Sequence, residues 1–405
     1  MNYLLRNTGL ALLFCLIPVL IVPAAAQKIE TIDGVRVVRN KGKGIWAKSP
    51  RIALEKIRSL GDIEAESEEV AFYLPLDMAL DSDGNLYVLD TGNHRIQKFS
   101  PDGVYLATLG RQGQGPGEFN FPGSLDIDDK GGLIVVSPYG QKMQFMDTSG
   151  VETGSLTFQE FASEYYRALE PDLLLSAVRR QPPLPDEEDQ DQSPDPLLQI
   201  TDREGKVVKT FGEPRDYKHG FVNAKGNNVR FAVGGDGSIC VTFRFQNRVD
   251  RYSADGKILW WAERDLGYDA RKPLTKGTIE RNQSGGISMH SPQMNTCSEA
   301  IAMDGNGRIW VVTLARQLKD EEEAGTNVSV SRGDQGTTLS MRPWSEDEIP
   351  PITDAYVLEV FDEEGVLLQR FPLDHYADVL RIKGDRLYIL DKVRRMQVHA
   401  YRITG

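Results

Sequence analysis

The sequence predicts an all-β fold, a six-bladed β-propeller of four-stranded antiparallel sheets closed into a ring. Three observations predict it. A unit recurs along the chain at roughly the 40-residue spacing of propeller blades. Each unit carries the turn chemistry of a meander. The last unit lacks a strand that resembles a segment near the other end of the chain.

Taking Gly84 and Gly103 as landmarks, the first copy returns 47 residues on. Asp81, Gly84, Leu86, Val88, Gln97 and Gly103 become Asp128, Gly131, Leu133, Val135, Gln144 and Gly150. A further copy places Gly237, Val241, Arg248, Asp255 and Gly256 in register with Gly84, Val88, Arg95, Asp102 and Gly103. Three copies are more worn: one around Leu173–Ser176 and Leu198–Gly205, one around Met303–Val312 and Leu358–Gly365, and one around Lys383–Asp391 and Met396–Val398.

Within the clearest copy, strands are predicted over Asp77–Asp81, Leu86–Leu89, Ile96–Phe99 and Val104–Leu109. They are separated by Asp83-Gly84-Asn85, Gly92-Asn93 and Pro101-Asp102-Gly103. Gly and Asn tolerate the positive φ that tight hairpin turns require. Asp81, Asp83 and Asp128 therefore read as turn-makers. The final unit stops at Gly405 after three strands, and residues 51–61 resemble Val104–Gly110. An N-terminal strand completing the C-terminal sheet would close the ring and remove an exposed edge.

The bulk properties narrow the function classes. Residues 1–26 read as a secretory signal peptide, with Arg6 before an apolar run and Ala24-Ala25-Ala26 before Gln27. The expectation is an exported protein, periplasmic or extracellular, with one propeller over 27–405 and no membrane insertion. Asp and Glu outnumber Lys and Arg 59 to 47. That balance argues against nucleic acid, which needs a clustered basic surface. Beyond the leader, Cys240 and Cys297 either pair in an oxidising compartment or lie as two buried thiols, the second being the expectation.

The run Gly84–Phe99, followed by Gly113-Gln114-Gly115-Pro116-Gly117-Glu118-Phe119, resembles the NHL repeat of exported bacterial six-bladed propellers. The resemblance implies a propeller and a binding role; it does not imply a reaction. This chain departs from the pattern by its large insertions and by losing the Gly-Asn turn in most copies.

The chemistry-bearing motifs are sparse. Gly113–Gly117 lies between strands rather than before a helix, so it reads as an inter-blade connection and not a phosphate loop. His94, His219, His290, His375 and His399 share no repeat position, which disfavours a zinc site. No nucleophile elbow is present. No cofactor is expected; calcium at the channel is the alternative.

The insertions carry the functional reading. In a four-stranded meander the second-to-third turns and the inter-blade links share one rim. The enlargements at about 180–196, 265–296 and 316–354 all belong to that rim. Long loops on a rigid scaffold are where binding is commonly placed. Candidate ligand-binding residues are Asp77, Ser124, Arg230 and Asp378 at the channel mouth, with His290, Met294, Arg342 and Trp344 in the loops. The favoured function is a non-catalytic, monomeric scaffold that binds a protein or glycan through the loop-rich face. The alternative is a channel-mouth hydrolase or lyase resembling calcium-dependent lactonases or streptogramin lyases, with Asp77 and Asp378 holding the cation.

Overall fold

The computed structural model describes residues 27–62, 65, 67–137, 141–158, 166–170, 172–178, 193–281, 287–323, 327–333, 336–342, 352–392 and 394–405. Residues 1–26, where the leader is expected, the core of the first insertion and Trp344 lie outside the described residues.

One turn motif repeats and sets the blades. The carboxylate of Asp81 accepts the amides of Asp83 and Asn85 (3.0 and 2.8 Å), and Asp128 accepts those of Lys130 and Gly132 (3.0 and 2.8 Å). Asp147, Asp202, Asp304 and Asp362 cap their own turns in the same way. The residue three positions on is a glycine with positive φ in each, from Gly84 (81°) to Gly365 (83°). An aspartate that bonds the backbone two residues ahead, followed by a left-handed glycine, reverses the chain without strain.

These turns generate six blades whose strands run from the channel outward. Blade 1 comprises Pro75–Leu80, Leu86–Asp90, Arg95–Phe99 and Tyr105–Leu109, within two residues of the predicted boundaries. Blade 2 comprises Ser124–Ile127, Leu133–Ser137, Lys142–Met146 and Glu152–Thr157. Blade 3 comprises Tyr166–Glu170, Leu173–Ala177, Leu198–Asp202 and Val207–Phe211. Blade 4 comprises Val229–Val233, Ile239–Phe243, Val249–Tyr252 and Ile258–Glu263. Blade 5 comprises Ser298–Met303, Ile309–Leu314, Tyr356–Phe361 and Leu367–Pro372. Blade 6 comprises Val379–Lys383, Arg386–Leu390, Val398–Thr404 and, from the other end of the chain, Ala53–Leu60. The six innermost strands neighbour one another in order around the ring.

Each sheet is covered on both faces by its neighbours, so second strands such as Leu86–Asp90 and Ile239–Phe243 are buried throughout. The core is accordingly divided into inter-blade layers. Leu89 and Ile96 meet Leu125 and Val135 between blades 1 and 2. Trp310 and Leu358 meet Leu380 and Ile389 between blades 5 and 6. Trp310 is fully buried and its indole donates to Asp304 at 2.8 Å, which satisfies the only polar atom of the ring.

The closing strand pairs as expected, with Leu54 opposite Ile403, Lys56 opposite Tyr401 and Arg58 opposite Ala400. The segment before it was not anticipated. Gln27–Ile32 and Val35–Asn40 form a hairpin through Asp33-Gly34, both in positive φ. Its second strand adds parallel to Ile258–Glu263 at the outer edge of blade 4, where Val37 and Val38 are fully buried. The chain then crosses blade 5, where Asn40 bonds Gly365 and Leu367, and Ile45 and Trp46 donate to Leu367 and Leu368. Residues 27–60 thus form a belt over the outer edges of blades 4, 5 and 6.

The seam of that belt holds two histidines in ring contact. The rings of His375 and His399 lie 3.8 Å apart, with Ser59 Oγ 2.9 Å from His399 Nδ1 and Tyr401 Oη 2.7 Å from His375 Nε2. Burial and then the neighbouring His375 push His399 down to about 2. A histidine whose folded pKa lies below its unfolded value of about 6.5 stabilises the fold above that pH, and its contribution is lost as the pH falls. Between pH 7.5 and pH 5 wild type should lose about 2 kcal/mol through His399 alone. Asp391, raised to about 6 by burial and the charge of Asp378, acts in the opposite sense. The difference between wild type and His399→Gln therefore isolates the histidine. Urea unfolding at both pH values should show a smaller loss for the variant; equal losses would refute it.

Cys240 and Cys297 are both buried and unpaired. Burial pushes their thiols up, to about 12 and about 11, so neither is primed for disulfide chemistry.

Candidate functional site

The enlarged connections leave and re-enter the ring at one rim. The inter-blade link after Glu263 carries a hairpin of Thr278–Arg281 and Ile287–His290. The second-to-third turn of blade 5 carries a hairpin of Asn327–Gly333 and Gly336–Arg342. A short helix, Gly220–Gly226, occupies the link between blades 3 and 4 on the same rim. The opposite rim keeps the tight aspartate-capped turns.

Between blades 4 and 5 this rim encloses a cleft of about 680 Å³. Its floor is Phe245, which follows the second strand of blade 4 and packs with Val222 and Met294. Lys225 Nζ and Arg244 Cζ stand 5.1 and 5.4 Å from the Phe245 ring centroid. Lys225 also donates to the Pro292 carbonyl at 2.5 Å, tying the helix to the inserted link. Burial, then the charge of Arg244, lowers the Lys225 pKa. Gln317 clamps the other side, donating to Thr296 O at 3.0 Å and accepting from Thr296 N at 2.8 Å. Asn228, Gln293 and Asn295 complete an amide-rich wall. Arg244 pairs with the buried Glu299 at 3.2 Å, which holds its guanidinium at the cleft edge.

Of the residues expected at the channel mouth, only Arg230 adjoins this cleft. It donates to Asn228 Oδ1 at 2.8 Å. Asp77 and Ser124 lie in the channel wall instead, essentially without exposure. The Asp77 carboxylate accepts from Arg167 at 3.3 Å, from Arg381 and from the Leu125 amide at 3.1 Å. Burial alone would raise its pKa, but Arg167 and Arg381 outweigh it and the net shift is downward. Asp378 sits at the entrance to blade 6, accepting from the Lys392 amide at 2.9 Å and facing Arg394 at 3.8 Å. Both carboxylates assigned to a cation in the alternative reading are thus engaged by guanidinium groups. Among the described residues no group of three or more His, Cys, Asp or Glu side chains converges as a metal would require.

His290 is exposed at the end of its hairpin and is not among the residues lining the cleft, and Arg342 is the last residue of the other hairpin. The cleft residues Lys225, Arg244, Phe245 and Gln317, and the channel pair Arg167 and Arg381, were missed. Only the channel pair carried a signal: Arg167 and Arg381, like Arg230, each interrupt an apolar run on an innermost strand, which in a ring points at the channel.

The NHL repeat family matches residues 72–99, the meander of blade 1 up to the end of its third strand. The chain is a six-bladed β-propeller whose first blade carries an NHL repeat. Peptidyl-glycine alpha-amidating monooxygenase B of Xenopus laevis is 33% identical over 125 residues, 29% of this chain and 14% of that protein. NHL repeat-containing protein 3 of Mus musculus is 32% identical over 76 residues, 18% of this chain and 22% of that protein. The matched stretches span less than a quarter of either relative. Two solved structures share the fold over most of this chain. A member of the DUF4221 family from Bacteroides vulgatus has a TM-score of 0.52 at 12% identity, covering 87% of this chain and 99% of its own. A Bacteroides fragilis protein described as exported has a TM-score of 0.53 at 11% identity, covering 91% and 100%. Among the described residues of this propeller no helix is long and apolar enough to cross a membrane.

Proposed function

We propose that this propeller is an exported, monomeric, non-catalytic scaffold that captures a protein or glycan on its loop-rich rim. The observation that carries the reading is the cleft of about 680 Å³ between blades 4 and 5. Its walls come from the enlarged link and the second-to-third turns, and its lining mixes side-chain amides with an aromatic floor. Oligosaccharides and extended peptide segments both present rows of hydrogen-bonding groups beside apolar faces, which such a lining suits. Export is supported by the leader-like residues 1–26 and by the fold shared with an exported Bacteroides protein.

The test is a steric plug. Ser291 lines the cleft and is exposed, so Ser291→Trp fills the space without disturbing the core. Immobilised wild type and variant would be compared against a panel of envelope glycans and envelope proteins. Capture by the variant should fall at least tenfold with the melting temperature unchanged. A plain-rim substitution, Asp102→Trp, should leave capture intact. Capture that survives Ser291→Trp and is lost on Asp102→Trp would place the binding face on the other rim.

A further inference from the structure

The rim cleft is divided by charge. Lys225 enters it from the helix before blade 4, and the exposed Glu323 from the second-to-third turn of blade 5. A lysine ammonium has three N–H donors. Lys225 gives one to the Pro292 carbonyl at 2.5 Å and one to Ser291 Oγ at 3.4 Å. The third has no partner among the described residues. Arg244 is matched by Glu299, so Lys225 supplies the cation that a ligand meets.

The amides beside it have hydrogen-bonding capacity left over among the described residues. Asn228 Oδ1 accepts from Arg230, which leaves its Nδ2 uncommitted. Asn295 Nδ2 donates to the Asp269 carbonyl at 2.8 Å, which leaves its Oδ1. Gln293 is exposed and presents both ends of its side-chain amide. Donors interleaved with acceptors suit hydroxyl groups, because each hydroxyl both gives and receives. An extended peptide is held differently, by adding to the edge of a sheet. No residue lining the cleft lies in a strand, so no such edge is offered there. Leu274, 64% exposed, gives apolar surface for the C–H face of a sugar ring.

We propose that the ligand of this cleft is an acidic glycan, a hexuronate carboxylate of which is held by Lys225 while its hydroxyls meet the amides of Asn228, Gln293 and Asn295. A charge-assisted bond from the ammonium to the carboxylate is the strong contact, and the amides read the ring beside it. Glu323 stands opposite and repels carboxylate, so the acid group lies toward blade 4. The inference rests on the rim being the capture face.

Isothermal titration of the full chain with trisaccharides of galacturonate, mannuronate and glucuronate tests it, each beside its carboxyl-reduced form, with a glucosamine trimer as the basic counterpart. At least one uronate should bind saturably at one site and raise the melting temperature, as a ligand of the native state does. Its carboxyl-reduced form should bind roughly tenfold more weakly. Lys225→Met should erase the difference between the two forms, and Ser291→Trp should weaken both. Because Lys225 also ties the helix to the inserted link, the wild-type comparison decides the matter without the variant. Equal affinity for the two forms would overturn the carboxylate assignment and leave the rim as the capture face. So would tighter binding of the glucosamine trimer, or failure of every uronate to saturate by about 10 mM. Acid-selective binding that survives Ser291→Trp would move the site off the rim and overturn both.

Discussion

A chain lacking residues 1–61 is expected to lose cooperative folding and to accumulate as aggregate. The truncation strips the outer strand from blade 6, uncovering the edge of Val398–Thr404. It also removes Ile52 from the layer formed with Tyr401 and Ile403, and the pair Val37 and Val38 from the outer face of blade 4. Three blades then present unpaired backbone and apolar surface at once. An exposed, flat strand edge is a template for association with other chains. The combined loss exceeds the roughly 5–15 kcal/mol by which a domain is ordinarily stable. Solubility and the thermal melt of the truncated chain measure this. A soluble protein melting cooperatively within a few degrees of the full chain would show that the ring closes without its belt. Adding a peptide of residues 51–61 in trans should partly restore solubility.

Replacing Asp77 by alanine is the most damaging single change we expect, costing about 3–5 kcal/mol. The residue has no solvent exposure, and its carboxylate joins the innermost strands of blades 1, 3 and 6 through Arg167 and Arg381. Removing it leaves two guanidinium groups facing each other beside an apolar wall. Asp77→Asn keeps the acceptor oxygen for the Leu125 amide but not the charge, so it should fall between wild type and alanine. Urea denaturation of the three proteins gives the order directly. A loss below about 1 kcal/mol for Asp77→Ala would mean the arginines are solvated as an exposed pair would be. Because the folded pKa of Asp77 is depressed, its contribution is present above the ordinary carboxylate range and disappears as the pH falls through the folded value.

The ring itself was legible because its information is local and repeated. Asp81-Ser82-Asp83-Gly84 specifies a turn by its own hydrogen bonds, and the same chemistry recurs with Asp128, Asp147, Asp202, Asp304 and Asp362. Counting such turns assigned the enlarged connections to one rim before any contact was known. The closing strand was found because it copies Val104–Gly110 in sequence. The hairpin of residues 27–40 copies nothing, and its parallel pairing with Trp260–Glu263 is set by tertiary contact alone. The same reason hid the sites. The cleft joins Lys225, Phe245, Met294 and Gln317 from four separate connections, and no spacing relates them. In the channel, Asp77 and Ser124 lie on the two clearest copies of the repeat, whereas the arginines that meet Asp77 lie on two of the worn ones, blades 3 and 6.

The belt also fixes the order in which the molecule is completed. Arg39 meets Glu263 across 224 positions and Ser59 meets His399 across 340. During synthesis Arg36–Arg39 must therefore stay unmated until Trp260–Glu263 emerge, and Ala53–Leu60 until Val398–Thr404 do. Contacts so distant along the chain are slow to form. The pairing of Ala53–Leu60 is therefore expected to come late in assembly, and a protease acting on a half-made ring should cut early within that strand.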